Sequence, residues 1–230
     1  MLLRDVTPMR VSRAQEAENH ERILDAATKL FRERGIDGIG VSDLMKAAGL
    51  THGGFYGHFK SKEDLVAQAC KRAVARMRQN WINIVDQATG DPLEALAATY
   101  LTPKHRDGAG RGCPMAALGP EVARQGPSVR RAMTDELRPF LEYLSGIVQG
   151  SSSNLRRQKA LATYASLVGA LVVSRVVDDP DLSDEVLAAV AATMHEKTKE
   201  RSRAKPSSKP RRITPPKTRS ATRPSRQRKA

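Results

Sequence analysis

Ile23, Ala26, Ala27, Leu30 and Phe31 fall on one face of a 3.6-residue repeat that stops at Gly35, and Ser12-Arg13-Ala14-Gln15 ahead of them matches a capping box. The pattern predicts a helix over 13–34. Val41, Leu44, Met45 and Ala48 predict a second helix of about two turns, ended by Gly49, a residue free to take the left-handed conformation of a tight turn. Thr51 can cap a third helix, with Phe55 and Phe59 turned inward and His52, Gly53, Tyr56 and His58 largely outward. Ser61-Lys62-Glu63-Asp64 is a second capping-box pattern. It opens a long helix to about Gln87, striped by Val66, Cys70, Ala73, Met77, Trp81 and Ile84.

Further along, Asp91-Pro92 starts a modest helix to about Tyr100, and Pro103–Gly112, with glycines at 108, 110 and 112, reads as a loop. Gly112-Cys113-Pro114 places Cys113 at the start of another helix. Pro127 opens a helix carrying Val129, Met133, Leu137, Leu141, Leu144 and Val148, with Pro139 as an expected kink that opens space between helices. After a Ser151–Asn154 loop, two last helices are predicted over Leu155–Val177 and Ser183–Lys197, separated by Asp178-Asp179-Pro180. Leu161, Ala165, Val168, Val172 and Val176 lie along one side of the first, where Ala165 and Gly169 allow close approach. Val186, Val190 and Met194 stripe the second. One small domain cannot hide that much apolar surface. The fold class is all-α.

Composition adds bounds. A chain of 230 residues, 40% hydrophobic and 4% aromatic, can bury one substantial core or a small domain beside a larger one. The formal net charge of +14 is uneven: residues 201–230 hold twelve of the 39 basic side chains and none of the 25 acidic ones, which leaves residues 1–200 only +2. With five prolines and no aromatics, that tail is expected to be disordered, either attracting DNA phosphates without sequence choice or serving only as a solvated end. Met1–Met9 shows no periodicity and reads as a flexible arm, in which Met9 is an alternative start. Two cysteines and no secretory apolar segment imply a reducing cytoplasm. Ala160–Val177 is long and apolar, but Thr163, Ser166, Ser174 and Arg175 interrupt it, so no membrane partner is expected.

Catalytic chemistry finds little support. There is no Gly-Lys-Ser/Thr phosphate loop, no GxGxxG and no GxSxG nucleophile, and the five histidines and two cysteines never fall at metal-ligand spacing. The expectation is a non-enzyme with no metal and no cofactor. Cys113 admits two readings: a small buried hydrophobe, or a thiol whose ionised form the helix start favours.

A helix, a short helix, a glycine turn and another short helix form a helix-turn-helix arrangement over about residues 42–61. The third helix would enter a major groove; Gly53 and Gly54 would let the backbone approach DNA, and Tyr56 and His58 can donate to phosphates. The other reading of the glycines is a tight corner required by helix packing. Residues 19–79, above all "GVSDLMKAAGLTHGGFYGHFKSKEDL", resemble the N-terminal DNA-binding domain of the TetR/AcrR family of bacterial transcriptional regulators. The resemblance implies that Ser42, Thr51, His52, Gly53, Gly54, Tyr56, His58 and Lys62 meet DNA. One departure is Gly40, where the family commonly has threonine, so that side-chain cap is missing.

The stretch around Gly112-Cys113-Pro114 also resembles a TetR/AcrR subgroup with a Gly-Cys-Pro segment, some of whose relatives sense electrophiles or oxidants through cysteine. The family places its effector pocket among the central helices, which makes Trp81, Tyr100, Cys113, Met115, Phe140, Tyr143 and Tyr164 candidate ligand contacts. It also pairs its last two helices into a homodimeric four-helix bundle. The expected organisation is an arm and helix start over 1–18, the DNA-binding domain over 19–79, a ligand-binding and dimerisation domain over 80–199, and the tail over 200–230. The expected function is a cytoplasmic, nucleoid-associated repressor, released from a near-palindromic double-stranded operator by a small molecule. The alternatives are a DNA-coating protein that uses its basic tail and a thiol sensor acting through Cys113.

Overall fold

The computed structural model describes residues 12–204, with side chains through Met194; the arm expected over 1–9 and the tail beyond 204 lie outside the described residues. Helix α1 (Arg13–Arg34) begins where Ser12 Oγ accepts the N–H of Gln15 at 3.2 Å. Only half of the expected capping box forms, because the Gln15 amide bonds Glu18 and Asn19 on its own helix face. Helix α2 (Val41–Ala47) starts at Gly40, with no side-chain cap, and the chain turns at Gly49, whose φ is +70°.

The expected third helix is split. A 3-10 turn at His52–Gly54 leads into α3 (Phe55–His58), and Thr51 stands before it without giving a side-chain cap, contrary to expectation. A single 3-10 turn leaves its orphan amides to solvent, where a DNA oxygen could also reach them. Phe55 and Phe59 are buried, their rings stacked on each other at 5.7 Å and Phe59 on His20 at 4.5 Å, so the short motif is anchored by aromatic burial rather than by capping.

Helix α4 (Lys62–Gln87) starts at Ser61, whose Oγ accepts the Asp64 N–H at 3.0 Å, and buries Val66, Cys70, Ala73, Met77 and Trp81 along the expected stripe. It leaves the DNA-binding domain and continues into the second one, packing on α1 and on the later helices. Then follow α5 (Pro92–Tyr100), α6 (Pro103–Asp107), α7 (Pro114–Arg124), α8 (Pro127–Ile147), α9 (Ser153–Val176) and α10 (Pro180–Ala204).

The Pro103–Gly112 segment, expected as a loop, contains α6 and a 3-10 turn at Ala109–Arg111. Its start is built from Thr102 Oγ1, which accepts the His105 N–H at 3.2 Å, and from Pro103 at the first helical position. Those two residues were the signal, and the three glycines obscured it. Helix α10 begins earlier than expected because Asp179 accepts the N–H groups of Asp181 and Leu182 at 2.9 and 3.1 Å, and it runs past residue 200 into the expected tail, to Ala204.

Helix α9 is long and apolar enough to cross a membrane by length and composition. In the fold it packs among α6, α7, α8 and α10, and its polar residues are bonded: Ser183 Oγ donates to Ser174 O at 2.6 Å, and Arg175 donates to the carbonyls of His105 and Arg106 at 3.0 and 2.8 Å.

Candidate nucleic-acid interface and central cavity

On the motif's outer surface, Ser42, Thr51, His52, Gly53, Gly54 and Tyr56 are all exposed, and Tyr56 leaves 71% of its surface open. His58 and Lys62 are half-buried: His58 lies 6.2 Å from the His20 ring, which itself stacks on Phe59. A Cβ added at Gly53 would meet nothing within 4 Å, and one at Gly54 would make only an ordinary 3.7 Å contact with Met45. Internal packing therefore does not require glycine at either position. Gly49 differs: its positive φ, and the Arg22 guanidinium that donates to Ala48 O at 2.6 Å beside it, make it a structural glycine.

A second feature lies where the two domains meet. A cavity of about 780 Å³ opens between α1, α4, α5 and the α6–Cys113 segment. Trp81, Tyr100 and Cys113 line it, together with Met77, Ile84 and Leu96. Phe140 and Tyr164 pack behind that wall, Phe140 edge-on to Trp81 at 4.9 Å and to Tyr164 at 5.0 Å, so they support the cavity without lining it. Met115 and Tyr143 are not among its lining residues, and of the seven expected ligand contacts the structure gathers three at the cavity.

Sequence reasoning missed the polar lining: Arg32, Arg76, Asn80, Lys104, His105 and Arg111. Arg32 and Arg76 directly neighbour the core residues Phe31 and Met77 on their helices, which placed them at the edge of each apolar stripe. His105 stands at the third residue of a Thr-Pro-capped turn.

Cys113 is 1% exposed, and its backbone N–H donates to His105 Nε2 at 3.0 Å. Its Sγ is 3.8 Å from the Tyr164 hydroxyl, which also reaches Met77 Sδ at 3.9 Å. Burial, and then the neighbouring Cys113 sulfur, raise Tyr100 and Tyr164 well above the ordinary phenol range, so both stay protonated. Burial lowers Arg32 and Arg175 below the usual guanidinium value, with Cys113 opposing the shift in both, yet both remain cations.

Two hydrogen bonds join α1 and the turn after it to the second domain. Arg32 Nη1 donates to Gly112 O at 2.8 Å, and the Ile36 N–H donates to Glu121 Oε2 at 2.6 Å.

Residues 23–69 match the sequence signature of the tetR family of bacterial regulatory proteins. The chain is 26% identical over 171 residues to the HTH-type transcriptional repressor NemR of Escherichia coli K12, covering 70% of this chain and 86% of that one. It is likewise 26% identical over 180 residues to the repressor DhaR of Mycobacterium sp. strain GP1, covering 74% and 89%. The crystal structure of reduced E. coli NemR superposes with a TM-score of 0.66 at 25% identity over 78% of this chain and 96% of that chain. The signature sits on the surface described above, so residues 23–69 form a DNA-binding domain of the tetR family, and the likeness to TetR-family transcriptional repressors extends through the cavity domain.

Proposed function

We propose that this regulator is a homodimeric repressor that binds a near-palindromic operator through His52–His58 and is released by a small molecule held in the central cavity. One observation carries the DNA contact: an exposed surface built around Gly53, whose lack of a side chain serves nothing inside the protein, rests on the buried Phe55 and Phe59. Ser42, Thr51, His52, Gly53, Gly54, Tyr56, His58 and Lys62 form that surface in the proposal, with Tyr56 and Lys62 on phosphates. Its partners are double-stranded DNA, an effector and a second copy of the chain, in the cytoplasm at the nucleoid.

Helix α4 supplies the coupling. Lys62 lies at its DNA end, and Trp81, nineteen residues on and so about 28 Å away, lines the cavity. Over that length each degree of tilt moves the far end by about half an ångström, so a ligand that tilts α4 changes the spacing of the two recognition surfaces. A dimer needs those surfaces about 34–36 Å apart to reach successive major grooves.

The test is a gel shift on the gene's own upstream region with unrelated DNA as competitor. A complex that survives the competitor supports the regulator, whereas equal loss of specific and unrelated complexes favours DNA coating.

A second reading rests on the position of Cys113, whose thiol lines the cavity where an electrophile or oxidant entering it could react. In that reading diamide releases DNA from the wild type and not from Cys113→Ser. Identical release from both removes it.

A further inference from the structure

The central cavity joins an aromatic wall to an unusual excess of positive charge. Trp81 and Tyr100 stand edge-to-face at 5.7 Å, and Arg32, Arg76, Lys104 and Arg111 line the same space, with no acidic residue among its lining. Among the described residues only Arg76 of these four is paired with a carboxylate, Asp25 at 2.7 Å. Arg32 is half-buried, and its described hydrogen bonds are to backbone carbonyls: Nε to Thr28 O at 2.9 Å and Nη1 to Gly112 O at 2.8 Å. A guanidinium has five N–H donors, so its Nη2 edge keeps capacity for a planar oxyanion. Burial disfavours its charge, Cys113 and Glu33 favour it and Arg76 disfavours it, and an arriving anion would favour it further. The Tyr100 hydroxyl is also buried without a hydrogen-bond partner of adequate geometry, leaving a donor on the same wall.

We infer that the cavity takes an amphipathic aromatic carboxylate, its ring system against Trp81 and Tyr100 and its carboxylate on Arg32 with Arg76. This rests on the reading of the cavity as the effector site and names the effector's chemical class. A volume of about 780 Å³ suits a ligand of two or more rings, and a charge-assisted bidentate contact gives the acid an advantage that its neutral isostere lacks. Because Arg32 belongs to α1, the anion binds a helix of the DNA-binding domain directly, on the guanidinium that also ties α1 to Gly112.

Trp81 is the sole tryptophan of the chain, so its fluorescence reports the cavity and nothing else. The experiment titrates the full-length protein with biphenyl-4-acetate and with neutral biphenyl-4-acetamide, by Trp81 quenching and calorimetry. The acid should bind about tenfold or more tightly than the amide. Arg32→Gln should erase most of that preference by lowering acid affinity more than amide affinity, while Arg32→Lys should keep part of it. Arg76→Gln, at an exposed position, should reduce it independently if Arg32→Gln fails to fold. Equal affinity for acid and amide, no saturable quenching by either, or an undiminished acid preference in both glutamine variants would overturn the inference. The gel shift is read on the same preparation. Lost acid binding with an intact operator complex removes only the ligand class, and a missing operator complex with acid preference present removes only the regulator.

Discussion

The backbone N–H of Cys113 donates to Nε2 of His105 at 3.0 Å, and this one bond fixes the protonation of the ring. A backbone amide can only donate, so Nε2 is the acceptor and the proton sits on Nδ1, which donates to Tyr100 O at 2.7 Å. A neutral imidazole therefore joins α5 to the start of α7.

Burial lowers the His105 pKa, the hydrogen bond to Tyr100 O opposes this, and Arg175 adds to the lowering. The folded protein thus resists a proton that the unfolded chain accepts at about 6.5. The stability this ring contributes is present above that value and lost as pH falls below it. Thermal melts should show Tm dropping between about pH 7 and pH 5, with a flatter profile for His105→Gln, which can donate and accept without titrating. Parallel profiles for the two proteins would contradict the assignment.

Gly49 and Gly53 should separate structure from function. Gly49→Ala places a Cβ at φ +70° and 2.6 Å from Arg22 Nη2, and should destabilise the fold by about 1–2 kcal/mol. Gly53→Ala meets open space, so its Tm should hold or rise slightly while operator affinity falls. Unchanged DNA binding by a well-folded Gly53→Ala would remove the close-approach argument.

The two cysteines should differ in reactivity. Burial pushes the Cys70 thiol up to about 12, whereas Cys113 borders the cavity. Iodoacetamide at about pH 8 should label native Cys113 first and Cys70 only on unfolding, read by peptide mass. Because the unfolded Cys70 ionises near 9 and the folded one near 12, the stability it contributes should be full below that window and fall across it. Equal labelling rates would contradict this burial.

Helices α9 and α10 leave an apolar face uncovered on the single chain. Val176 is 77% exposed, Leu161, Val173 and Leu182 are also open, and a Cβ at Gly169 would meet nothing within 4 Å. If a second copy covers this face, Leu161→Glu and Val176→Glu bury unpaired charge and should weaken the dimer about 100-fold or more in sedimentation, with helix content intact. A dimer as tight as the wild type would place the interface elsewhere.

Much of this was legible in the chain because the helices declare themselves by apolar spacing. Phe55 and Phe59 were assigned inward and are buried, and the stripe from Val66 to Trp81 was read correctly. Local signals misled where two physical effects competed. Thr51 has a capping side chain but precedes a 3-10 turn, and the glycines at 108, 110 and 112 hid the Thr102-Pro103 helix start. The cavity's cations were not legible at all, since Arg32 and Arg76 read as ordinary polar positions until folding brings α1, α4 and the Cys113 segment together.

Footprinting on the gene's own upstream region tests the central proposal most directly. Wild-type protein should protect a two-fold symmetric site with half-sites about 10–10.5 base pairs or a multiple apart, and folded Gly53→Ala should lose that protection at the same concentration. Uniform protection along the DNA, equal for wild type and Gly53→Ala, would contradict it.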